Sequence, residues 1–81
     1  MNFLAEITIM PLKELLDPQG KAVMGGLSNL GLKNIEDVRI GKHIQLHINA
    51  NDEAEARRIA EEASERLLAN PVMEEYTILI S

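Results

Sequence analysis

The chain contains no cysteine and no tryptophan, and Phe3 and Tyr76 are its only aromatic residues. Without cysteine there are no disulfides, no thiolate metal sites and no cysteine nucleophile. Two aromatics are too few for the stacking platform of an RNA-recognition sheet. The core must therefore be built from Leu, Ile, Val, Met and Ala. Basic residues are also scarce: 8 face 13 acids, for a net charge of −5. That balance argues against the counterion-displacing basic face of a nucleic-acid binder. No run approaches the roughly 20 apolar residues of a membrane span. Glu6 interrupts the only apolar stretch near the start, and no basic region precedes it, so no secretory leader is expected. The expected location is the cytoplasm.

What remains is 81 residues, 46% of them hydrophobic, enough for one small domain spanning 1–81 but not for a second core. Phe3-Leu4-Ala5-Glu6-Ile7-Thr8-Ile9-Met10 alternates with period two and reads as a strand ended by Pro11. Asp17-Pro18 then opens a helix, with the carboxylate as cap and proline at the first helical position. Val23, Leu27 and Leu30 recur on one side of it, and Gly31 follows as a left-handed stop with Leu32 folding back. Ile35–Ile40 and His43–Ile48 are expected to form two strands joined at Gly41-Lys42 by a tight antiparallel hairpin. Asp52-Glu53-Ala54-Glu55 opens a second helix whose stripe is Ala56, Ile59, Ala60, Ala63 and Leu67. Asn70-Pro71 stops it, and Met73–Ile80 is the last strand.

The order β-α-β-β-α-β predicts an α+β, ferredoxin-like split βαβ fold, with a four-stranded antiparallel sheet and two helices on one face. The other face stays open, carrying Leu4, Glu6, Thr8, Met10, His43, Gln45, His47, Glu75, Thr77 and Leu79. Such a mixed surface suits self-association or a partner.

Catalytic patterns are missing. No glycine elbow surrounds Ser28, Ser64 or Ser81, and no phosphate loop is present. His43 and His47 share one strand face, but four residues of strand separate them by about 13 Å, too far for one metal ion. Glu61, Glu62 and Glu65 lie on an arginine-laced helix and read as a solvated face. Three features are left. They are the helix start at Asp17–Gly20, the basic tip Arg39-Ile40-Gly41-Lys42, and the corner Asn70-Pro71-Val72-Met73. Gly20 in a first turn and Gly25-Gly26 in mid-helix are costly, at about 1 kcal/mol each relative to alanine, which points to close approach of another surface.

Three blocks resemble the PurS family, the small subunit of bacterial and archaeal phosphoribosylformylglycinamidine synthase. These are Leu16-Asp17-Pro18-Gln19-Gly20-Lys21-Ala22-Val23, Asp37-Val38-Arg39-Ile40-Gly41-Lys42, and Leu67-Leu68-Ala69-Asn70-Pro71-Val72 followed by Glu74 and Tyr76. The resemblance implies an assembly subunit without catalytic residues or a cofactor of its own, in a complex that makes formylglycinamidine ribonucleotide. A synthetase subunit would use ATP and Mg, and a glutaminase subunit would supply ammonia. The small subunit would join the two, aid ammonia transfer and form a homodimer or tetramer. It also implies Asp17, Pro18, Gln19, Gly20, Arg39, Gly41, Lys42, Asn70 and Pro71 as partner contacts, with no metal site. An alternative on the same layout is an ACT-like domain that senses a small effector.

Overall fold

The computed structural model describes all 81 residues. Its elements are strand β1 (Asn2–Pro11), helix α1 (Pro18–Asn29), strand β2 (Lys42–Asn49), helix α2 (Glu53–Ala63) and strand β3 (Glu74–Ile80). A π-helical turn, Ser64–Leu68, continues α2. β1 is the central strand of a three-stranded antiparallel sheet in the order β2-β1-β3. Its inward residues set the core: Ala5, Ile7 and Ile9 are completely buried. The register places Ile7 opposite both Ile44 and Ile78, so β-branched side chains form a row across the sheet.

α2 lies on this face. Ala56 and Ala60 are fully buried there, and their small side chains let the helix sit close to the sheet. Asp52 caps it by accepting from the Glu55 N–H at 2.8 Å. The buried core comprises four isoleucines and five alanines (Ala5, Ala50, Ala56, Ala60 and Ala69), which is a thin apolar interior.

The expected fourth strand is absent. Residues 35–41 run as irregular chain, β2 begins at Lys42, and Lys42 pairs with Ile9 of β1. Gly41-Lys42 is therefore no hairpin turn. The donors a strand would need are spent elsewhere. The Val38 N–H bonds its neighbour's Asp37 carboxylate at 3.0 Å, and the Ile40 N–H bonds Asp17 at 2.9 Å. Glycine is required at 41 for another reason, because a Cβ there would run into the Ile9 carbonyl and the Met10 sulfur.

Nor do two helices share one face. α1 makes no substantial packing against any strand or against α2. It projects from the sheet as an arm, and the molecule measures 51 × 24 × 14 Å. The radius of gyration is 16.2 Å, where a compact chain of this length would have about 12 Å. The α1 stop is as expected: Gly31 has φ +90°, and the Leu32 N–H reaches the Leu27 carbonyl at 3.0 Å.

Candidate partner-binding surfaces

The nine candidate residues gather at one end of the sheet, where β1 finishes and β2 and β3 begin. Asp17 anchors the outgoing arm. One carboxylate oxygen accepts from the Gly20 N–H at 3.0 Å and the other from the Ile40 N–H at 2.9 Å. These two N–H groups hold the Asp17 carboxyl below its ordinary range, outweighing partial desolvation, and the Arg39 guanidinium adds to them. Gly20 is buried against the returning chain, and a Cβ there would collide with the Val38 carbonyl. Pro18 and Gln19 are exposed beside it.

Arg39 is a staple rather than a free charge. Its guanidinium donates to the Pro11 carbonyl and lies 3.9 Å from Glu75. Lys42 is similarly engaged, reaching the Leu68 carbonyl at 3.3 Å and Glu74 at 3.8 Å. Asn70 shapes the corner. Its backbone N–H donates to Glu74 at 2.8 Å, and its side-chain oxygen accepts from the Val72 N–H at 3.0 Å. Pro71 is exposed at the outside of that turn. Within the protomer, Asp17, Gly20, Arg39, Gly41, Lys42 and Asn70 thus do structural duty, while Pro18, Gln19 and Pro71 are presented to the outside. Above Arg39 a cavity of about 380 Å³ is lined by Lys13, Leu16, Asp17, Lys21 and Arg39 among others, with cations and carboxylates interleaved.

Reading the sequence for charge and turns missed the apolar surfaces. On and around α1, Leu16, Val23, Leu30, Leu32 and Ile35 are exposed, Leu16 and Leu30 by more than 70%. The helical spacing of Val23, Leu27 and Leu30 announces an apolar face, but spacing carries no information on what covers it. At the corner, Leu67, Val72 and Met73 are exposed as well. Leu67 was expected on the buried stripe of α2. The π turn inserts one residue into the helical period, which swings Leu67 outward and brings Leu68 and Ala69 towards the core.

The open sheet face carries polar pairs across β1 and β2. His43 Nδ1 lies 3.1 Å from the Thr8 hydroxyl, and its Nε2 lies 3.5 Å from Glu6, which also accepts from Gln45 at 3.3 Å. On the core side of β3, Tyr76 donates its hydroxyl to Glu65 at 3.2 Å. Partial desolvation, and then that carboxylate, push the phenol above its ordinary range. No group of three or more His, Asp or Glu side chains converges closely enough to hold a metal ion. What the geometry offers is docking surface.

Comparison with known proteins agrees with this picture. The family model for phosphoribosylformylglycinamidine (FGAM) synthase, PurS, matches residues 4–81. The phosphoribosylformylglycinamidine synthase subunit PurS of Mycobacterium leprae is 45% identical over 75 residues, covering 91% of this chain and 90% of that protein. The same subunit of Synechocystis is 43% identical over 75 residues, covering 93% of this chain and 73% of the other. Among solved structures, a chain of PurLQS from Thermotoga maritima superposes with a TM-score of 0.92 at 30% identity, covering 100% of this chain and 99% of that one. The Methanocaldococcus jannaschii PurS crystal structure gives 0.87 at 32% identity, covering 98% and 95%. A match across nearly the whole length, in sequence and in fold, leads to one conclusion: the chain belongs to the PurS family of phosphoribosylformylglycinamidine synthase.

Proposed function

We infer that this chain is the small, non-catalytic subunit of an FGAM synthase complex in purine biosynthesis. The observation that carries this reading is the full-length likeness to a chain of the Thermotoga maritima PurLQS structure. It is supported by a chain whose exposed features are surfaces and whose polar clusters are internally satisfied. Its partners are a synthetase subunit, which uses ATP and Mg²⁺ to activate the amide of formylglycinamide ribonucleotide, and a glutaminase subunit, which releases ammonia. The chain bridges the two and aids ammonia transfer. The complex works in the cytoplasm, a location compatible with the lack of any helix long and apolar enough to cross a membrane. Pro18, Gln19 and Pro71 are its outward-facing contacts. Family membership does not favour the ACT-like effector-sensing alternative.

The chain also associates with itself. α1 and its C-terminal cap expose Val23 and Leu30 to water, while the sheet beside α2 leaves Ile44 and Leu46 only half-buried. The α1 of one copy, laid on the sheet of another, covers both surfaces and restores the two-helix layer that the topology calls for.

The test is reconstitution. Glutamine-dependent turnover by purified synthetase and glutaminase is expected to rise when this chain is added, while turnover on high ammonium changes little. Equal glutamine-dependent turnover with and without the chain overturns the reading.

A further inference from the structure

The direction of the α1 arm is set at its base, where the outgoing chain (residues 11–20) and the returning chain (residues 37–41) cross. The two segments are joined by three contacts. Asp17 spends one oxygen on the Gly20 N–H and the other on the Ile40 N–H, at 3.0 and 2.9 Å. The buried Gly20 backbone lies so close to the Val38 carbonyl that no side chain fits between them. Arg39 donates back to the Pro11 carbonyl and neighbours Glu75 at 3.9 Å. Beyond this crossing, α1 makes no substantial contact with the strands or with α2.

We propose that Asp17 is a positioning residue, a latch whose bond to the Ile40 N–H fixes the angle of α1 relative to the sheet. Capping α1 needs only one acceptor, which serine or asparagine supplies equally well. The second oxygen ties the helix start to the strand-entry segment, which a cap by itself does not do. An arm held in one direction meets its docking surface without ordering a flexible segment first, and association then costs less. This consequence rests on the assembly reading above; the latch itself does not.

Asp17→Asn separates the two roles. Its single carbonyl oxygen still caps α1, while its amide nitrogen cannot accept from the Ile40 N–H. Because the chain has no cysteine, spin labels can be placed on Asn29→Cys at the arm tip and Arg58→Cys on α2. The pair falls within the 51 Å length of the molecule. Mixing with excess unlabelled chain ensures that pulsed dipolar spectroscopy reads distances within one protomer. The parent is expected to give one narrow distribution. In Asp17→Asn it should broaden and shift while circular dichroism shows the helix content retained. Gly20→Ala, which forces the crossing apart from the other side, should broaden it too. Unchanged distributions in both variants overturn the latch. A narrow parent distribution combined with no stimulation of the synthetase and glutaminase would instead sink the assembly reading and leave the latch standing.

Discussion

Asp17 is the residue at which local chemistry and long-range geometry meet. Its folded-state pKa lies below the ordinary 3.8 because two backbone N–H groups stabilise the carboxylate. The sign of the linkage follows. A group depressed on folding adds stability above its unfolded pKa, and that contribution disappears as pH falls through the folded value. Asp17→Ala should therefore melt below the parent at neutral pH, and the gap should close as pH falls below 3.8. Thermal unfolding at pH 7, 5 and 3 checks this; a gap that stays constant to pH 3 would show that the charge of Asp17 is irrelevant. The cap was legible in the sequence, since Asp-Pro before an apolar run has few other readings. The bond to Ile40 was not, because its partner lies 23 positions away. Arg39 and Lys42 teach the same lesson in reverse. They form a basic spot at the entry to β2, yet each is tied to a backbone carbonyl and a glutamate.

Among the elements, β1 and β2 were readable because strict alternation leaves one register in which Ala5, Ile7, Ile9 and Ile48 all point inward. Residues 35–40 have similar strand-forming residues and remain unpaired, since propensity needs a neighbouring edge that the fold does not place there. The end of α2 shows how one extra residue reorders a surface. Ser64, fully buried, donates its hydroxyl to the Ala60 carbonyl at 2.8 Å, and the Ala69 N–H reaches back five residues to Ser64 at 2.9 Å. Leu67 is 83% exposed as a result, whereas Leu68 packs against the core. Leu67→Ser should change stability by less than about 0.5 kcal/mol. Leu68→Ser should cost roughly 1–3 kcal/mol through lost apolar burial. Urea titration of both variants discriminates, and the opposite order would mean that the helix continues in regular α geometry.

For the whole molecule, the decisive quantity is the mismatch between apolar surface and the means to bury it. The core is more than half alanine by number, and several of the larger aliphatic residues lie on α1 or beside it in water. A small chain with so little interior gains stability by covering that surface in an assembly. Val23→Ser combined with Leu30→Ser should lower the assembled mass seen by light scattering at a given concentration, with the far-UV spectrum of the sheet and α2 retained. Unchanged mass would place the self-contact away from α1.

The helix starts, the glycine stop of α1 and the inward faces of β1, β2 and β3 were determined by the amino-acid sequence alone. Each of these rests on residues close together along the chain: a carboxylate before a proline, a glycine after a helix, a side chain every second position. The tertiary structure alone decided that the sheet has three strands, that α1 stands away from it, and that Leu67 faces water. Those outcomes depend on which distant N–H groups and apolar faces find partners, and sequence spacing carries no record of that competition.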